Sequence, residues 1–293
     1  MKYSERMGDH LRAVEAALPG YLPAIEGPHR PVPEAMAYAC AAGGKRLRPV
    51  LLLEFCRICG GDTQAALPFA CAIEMIHNYS LVHDDLPCMD DSPLRRGKPS
   101  VHAAYGETMG LLTGDALLNR AFEVALGCGT LPAERTVAAT RALADAAGID
   151  GMIGGQVMDL RYEGERIDMD TLVLLQQGKT AALITAACEM GVLLAGGSEE
   201  RLTAARRFGG ELGLAFQIVD DILDVTSTPE VLGKPVGSDA ENGKTTYVTL
   251  LGLQGAKELA VARTEAALTA LAPFGTEAED LKTMARSLLE RAD

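Results

Sequence analysis

An all-helical protein is what these 293 residues predict, on three observations. Apolar residues recur at i, i+3, i+4 and i+7, the periodic stretches are rich in Ala and Leu, and no run alternates polar and apolar residues between hairpin turns. The helices follow in order between their breakers. A first helical stretch ends at "LPGYLPAIEGPHRPVP" (18–33) and the next ones at "CGGD" (59–62). "FACAIEMIHNYSLVH" (69–83) is an apolar helix, which Pro87 should end or kink, because proline removes a helical donor and clashes with the preceding turn. "TVAATRALADAAG" ends at "GIDG" (148–151), and "TAALITAACEMGVLLAG" ends at "AGGS" (195–198). "GELGLAFQIVDDILDV" runs into "TSTPEVLGKPVGSDAENGKTT" (226–246), the longest irregular stretch and of a length usually reserved for functional lids. No shift in composition marks a boundary, so one domain over 1–293 is expected, a single large bundle.

Composition narrows the function. Apolar residues make up 48 % of the chain, enough for a sizeable core, and the net charge of −13 argues against nucleic acid or an anionic membrane as main partner. No apolar run approaches the ~20 residues that span a bilayer, and "MKYSERMGDH" lacks the apolar stretch of a signal peptide. Seven scattered cysteines do not form a disulfide framework, and the lone "CRIC" (56–59) reads as buried thiols rather than a zinc or redox motif. The expectation is a cytoplasmic enzyme without a membrane span.

Two acidic clusters carry the chemistry. "HDDLPCMDD" sets Asp84, Asp85, Asp90 and Asp91 at the end of an apolar helix; Asp90 and Asp91 should turn back toward Asp84 through a short bulge. "IVDDILD" sets Asp220, Asp221 and Asp224 within an arc of about 100° on a second helix, where they should converge. Two carboxylates about 4 Å apart repel by roughly 4 kcal/mol at an effective dielectric near 20. Hard, oxygen-seeking cations such as Mg²⁺ would offset that repulsion. Basic residues stand as islands in this acidic chain: "GGKRLRP" (43–49) and "PLRRGKP" (93–99). Arginine forks bind phosphate oxygens in pairs, and glycine lets backbone approach a ligand. Cations around metal-binding acids point to a polyphosphate lying between them. Lys179 is a charge inside an apolar helix, costly unless paired, and an anionic substrate would pair it.

"GGKRLRP", "HDDLPCMDD", "LRRGKP", "GGQVMDL", "GKT" and "FQIVDDILD", in this order, resemble the polyprenyl synthases, the trans-isoprenyl diphosphate synthase family. The pattern is most similar to the bacterial short-chain members that make farnesyl diphosphate. The resemblance implies an all-α bundle around a central cavity, a homodimer, and Mg²⁺-dependent joining of an allylic diphosphate (dimethylallyl or geranyl) to isopentenyl diphosphate. It implies that Asp84 and Asp90 hold Mg²⁺ with Asp85 and Asp91 in support, and that Asp220 and, less directly, Asp224 form a second metal motif. Lys45, Arg48, His77 and Arg96 match the isopentenyl diphosphate site, and Arg95 the allylic diphosphate site. Lys179, Thr180, Gln217 and Lys234 match positions around the allylic substrate, and Lys244 falls in the lid. Tyr79, with Ser80 beside it, matches the place where an aromatic ring limits the product to fifteen carbons. Were Tyr79 ordinary core, the twenty-carbon geranylgeranyl product would be the alternative.

Other readings fit less well. A terpene cyclase shapes its cation with aromatic walls, whereas this chain has no Trp and 4 % aromatics. A metal phosphohydrolase built on the His83–Asp84 dyad needs more histidine ligands than five scattered His supply. A non-enzymatic helical partner subunit would have no use for two intact acidic motifs.

Overall fold

The computed structural model describes residues 4–227 and 243–290. Its elements are helices with one small hairpin. α1 (Glu5–Tyr21) is capped by Ser4, whose hydroxyl accepts from the Met7 amide, and carries Pro19 in its last turn. Pro31 opens α2 (Pro31–Cys40), where a missing amide hydrogen is harmless. α3 (Leu47–Ile58) and α4 (Thr63–Asp84) bury most of their residues and pack together. α5 (Val101–Tyr105), α6 (Glu107–Leu126) and α7 (Ala133–Ala147) follow, and α6 lies along α4.

α8 (Met152–Arg161) leads to α9 (Met169–Gln176), a π-helical turn (Gln177–Ala181) and α10 (Ala182–Ala195). These last three run on without a break. Met169–Ala195 therefore does reach the length and apolarity of a membrane span, against the expectation that no apolar run approaches ~20 residues. Yet 56 % of its most apolar window lies inside the fold, packed on α3, α7 and α11 (Glu199–Thr226), as expected of a core helix. α12 (Tyr247–Ala270), kinked at Gly252 (φ 72°), packs along α11, and α13 (Glu279–Leu289) closes the described chain. All seven cysteines are free thiols.

The hairpin departs from the helix-only expectation. β1 (Leu94–Arg95) pairs antiparallel with β2 (Lys98–Pro99) across Arg96 and Gly97, at φ 53° and 76°. Positive φ at both central residues is the turn that suits the twist of paired strands. The strands are too short to show alternation in sequence. What the bundle does for function is to bring the C-terminal ends of α4 and α11 to one cavity.

Candidate active site

That cavity has a volume of about 570 Å³. Asp84 from α4 and Asp220 from α11 both line it, with Arg48, His77 and Arg95 on the basic side. Lys179, Thr180 and Gln217 line another wall, and Tyr79 and Ser80 lie along α4. Thus residues from five separate stretches of sequence meet around one space. His77 shares the cavity face of α4 with Asp84, two turns away, as the seven-residue spacing implies.

The first acidic motif folds back as the sequence suggests. α4 ends at Asp84, three residues before Pro87. The Asp90 amide then donates to the Asp84 carbonyl (2.9 Å), and the Asp91 amide to Leu86 (3.1 Å). Asp91 adopts φ 46°, a left-handed conformation that strains a non-glycine residue. The four acids do not share one orientation. Asp85 is buried, and the Arg95 guanidinium grips it, Nε donating to both oxygens at 3.1 Å and Nη2 to Oδ1. Asp84 instead faces the cavity, where burial pushes its carboxyl pKa up to about 6, against the pull of Lys179 and with the push of Asp90. A buried anion at the negative end of a helix dipole does nothing for stability. It makes sense as a place for a cation.

The second motif divides its acids. Asp220 faces the cavity. Asp221 turns from it into the polar pocket beside it: its Oδ1 accepts from Gln217 Nε2 and its Oδ2 from the Tyr247 amide, both at 2.9 Å. The expected convergence of all three is therefore corrected, because i and i+1 point about 100° apart and α12 offers Asp221 a backbone donor. Asp224 is buried at 2 % exposure and lines neither this cavity nor the pocket beside it.

The two basic islands touch, which spacing alone does not reveal. Arg96 Nη1 donates to the Gly43 carbonyl, tying the hairpin to the "GGKRLRP" loop. Gly44 stands at φ 128°, where a side chain is strained, and a Cβ there would lie 2.6 Å from that guanidinium. Lys45 holds its ammonium 5.6 Å over the ring of Phe216, itself a cavity residue. Arg48 reaches the cavity, with Nε buried and without a partner among the described residues. Burial lowers its pKa to about 10. Burial and the surrounding Arg48, Arg96 and Arg46 keep His77 well below its usual range, hence neutral at physiological pH.

Arg46, the third cation of the loop, is internal. It pairs with Glu74 of α4 (Nη1 to Oε1, 2.7 Å) and donates to the Cys40 carbonyl (2.6 Å) from a strained backbone at φ 47°. Both partners' side chains are almost fully enclosed, at 4 % and 2 % exposure. Breaking a buried pair by removing one partner costs about 3–5 kcal/mol. Glu74→Ala should therefore lower the chemical-denaturation stability by about that amount; a loss below about 1 kcal/mol would show the pair to be dispensable.

Lys179 is paired, but not as the sequence implied. The π turn that carries it crosses α8 at Gly155, where a Cβ would fall 2.0 Å from the Lys179 amide nitrogen. π-Helical turns are rare and frequent at functional sites. Next to that crossing Asp159 Oδ2 accepts from Lys179 Nζ (2.6 Å) and Lys244 Nζ (3.1 Å). Burial would raise the Asp159 pKa, but the two ammoniums outweigh it and hold the carboxyl low. Asp159, Lys179, Lys244 and Thr246 line a polar pocket of about 120 Å³ that shares Lys179 and Gln217 with the main cavity. Asp159 lies in "GGQVMDL", and its signal was electrostatic: a buried lysine needs an anion, and this one was available. Thr180 Oγ1 stands 3.1 Å from the amide oxygens of both Gln176 and Gln217. His83 Nε2 bonds the Leu111 carbonyl (3.0 Å) and fills the space over Gly114, and its ring also lines the cavity. Lys234 lies outside the described residues.

No three His, Cys, Asp or Glu among the described residues group around a single point. Mg²⁺ typically takes one or two carboxylates and completes its shell with water and substrate phosphates. Asp84 and Asp220, oxygen donors from two helices facing one cavity, fit that mode.

The polyprenyl synthetase family model matches residues 29–283. The farnesyl diphosphate synthase of Geobacillus stearothermophilus is 44 % identical over 263 residues, 89 % of this chain and 88 % of the relative. Geranylgeranyl pyrophosphate synthase 3, chloroplastic, of Arabidopsis thaliana is 47 % identical over 234 residues, 78 % of this chain and 65 % of the plant protein. The crystal structure of an FPP/GFPP synthase from Zymomonas mobilis superimposes with a TM-score of 0.86 at 38 % identity, covering 97 % of each chain.

Proposed function

The chain belongs to the polyprenyl synthetase family and is a short-chain trans-prenyltransferase; we propose that it condenses isopentenyl diphosphate with dimethylallyl and geranyl diphosphates to give farnesyl diphosphate. The observation that carries the reading is one cavity lined by Asp84 and Asp220 together with Arg48 and Arg95. One domain over 1–293, working in the cytoplasm as a homodimer, is part of the same proposal.

Asp84, Asp90 and Asp220 would hold Mg²⁺, with Asp85 and Asp224 behind them. When bound, Mg²⁺ neutralises diphosphate charge and so favours its departure. The chain's own residues do the rest. Arg95, positioned by Asp85, and Lys179, shared with Asp159, meet the allylic diphosphate, with Lys234 and Lys244 from the lid side. Lys45, Arg48, His77 and Arg96 meet the isopentenyl diphosphate. A neutral His77 can donate to an oxygen without competing for charge. As the allylic carbon–oxygen bond breaks, a carbocation remains between the acceptor oxygens of Thr180 and Gln217. The isopentenyl double bond attacks it, and the proton then lost passes to the departing diphosphate. Fixed dipoles aimed at developing charge act strongly in a site that excludes water.

The test is to incubate the protein with Mg²⁺, dimethylallyl diphosphate and labelled isopentenyl diphosphate, and to measure product length. Fifteen carbons support the proposal. The second reading, a geranylgeranyl product, is favoured by the likeness to plant proteins named for it, and twenty carbons would establish it.

Substrate binding gives a further expectation. A charge-assisted hydrogen bond is worth about 1.5–3 kcal/mol, roughly ten- to hundredfold in affinity. Lys45→Ala and Arg48→Ala should each raise KM for isopentenyl diphosphate by about that factor, and by less for the allylic partner. Steady-state kinetics with each substrate varied would show it. Equal effects on both substrates would mean that "GGKRLRP" does not serve one of them.

A further inference from the structure

An amide side chain can present either end to a cavity, and the choice matters beside a cation. Gln217 Nε2 donates to Asp221 Oδ1 at 2.9 Å, and Gln217 Oε1 accepts from Thr180 Oγ1 at 3.1 Å. A carboxylate only accepts, so the nitrogen must face Asp221 and the oxygen must face Thr180 and the cavity. Asp221 cannot swing away, because its other oxygen accepts the Tyr247 amide at the start of α12 and its surroundings leave it 3 % exposed. We infer that Asp221 is the positioning residue that keeps the Gln217 amide oxygen turned toward the reacting carbon. Without it the amide can reverse and set N–H donors, the positive end of the dipole, against the cation. The inference rests on the prenyl-transfer reading, and it separates the two adjacent acids of the motif: Asp220 serves the cavity directly, Asp221 through Gln217.

Asp221→Asn tests it with little change of shape. The new amide oxygen still accepts from Tyr247, so the start of α12 is kept. The new amide nitrogen then faces Gln217 and forces its amide to reverse. We expect kcat to fall by roughly ten- to a hundredfold. KM for both substrates and the half-saturating Mg²⁺ concentration should stay within about twofold, as a residue that acts through Gln217 requires. The double variant Asp221→Asn/Gln217→Glu should return kcat to within about threefold of the parent. Its introduced carboxylate accepts from the new amide with one oxygen and again shows the other to the cavity. A double variant as slow as Asp221→Asn overturns the inference. So does a rise in half-saturating Mg²⁺ that accounts for the loss, the mark of a metal ligand. If Asp221→Asn does not fold by circular dichroism, Gln217→Met carries the test: a roughly ten- to a hundredfold loss of kcat with KM and half-saturating Mg²⁺ unchanged supports the inference, and an unchanged kcat overturns it. Failure of the underlying reading would show separately, as a parent chain that makes no prenyl product.

Discussion

Asp84→Ala and Asp220→Ala should each lower prenyl-transfer turnover by at least about a hundred- to a thousandfold, and excess EDTA should abolish it in the parent. Each carboxylate projects from its own helix into the shared cavity. Loss of either removes half of the paired seat for the cations that offset the diphosphate's charge. The fold should survive. Asp84 is an anion in a desolvated place at the end of α4, with its pKa raised to about 6. A carboxyl whose folded pKa lies above its unfolded value destabilises the native state once pH rises past the unfolded pKa, and at neutral pH that cost is present in full. In EDTA at neutral pH, Asp84→Ala should therefore melt no lower than the parent while its turnover collapses. Calorimetry and a radiolabel assay on one preparation read both. Full activity in EDTA, or a variant that loses activity only because it unfolds, would remove the argument for a metal site.

How much of this was legible in sequence follows from what each residue's partner is. The helices are, because periodicity is local: α4, α10 and α11 appear as amphipathic or apolar runs between Gly and Pro. The return of Asp90 to Asp84 is too, because Pro87 forbids the helix from continuing. What escapes depends on partners far along the chain. The docking of Arg96 on Gly43 joins two loops that sequence treats as separate islands. Lys179 calls for an anion wherever it sits, and no local pattern tells that Asp159, rather than substrate alone, supplies one. The turning of Asp221 away from its neighbours needs the Tyr247 amide, which arrives from beyond the long irregular stretch. Charges are thus easy to inventory along a chain, and their pairing is hard to read there.

Product length should depend on one ring. Tyr79 lies five residues before Asp84, about 7.5 Å along α4, and lines the same cavity. If the allylic diphosphate is anchored near Asp84, the growing tail should run back along α4 toward that ring. Tyr79 is only 5 % exposed, and its ring meets the edge of His83 at 5.8 Å between centroids, a contact that holds it in place. Its hydroxyl is buried without a partner among the described residues, and burial, with Asp84, pushes its pKa up to about 12. A neutral phenol left unpaired in this way contributes bulk rather than a hydrogen bond. Ser80, one turn from Asp84, is small and already donates to the His77 carbonyl (2.9 Å), so it sets width without blocking the path. Tyr79→Ala should therefore extend the product by at least one five-carbon unit while leaving the diphosphate chemistry intact. Tyr79→Phe should leave product length as it is, because the ring remains. Chromatography of the dephosphorylated alcohols distinguishes fifteen from twenty carbons directly. An unchanged product from a folded, active Tyr79→Ala chain would place the measuring surface on another wall, with Met152 and Ile153 of α8 the next side chains lining the cavity to replace.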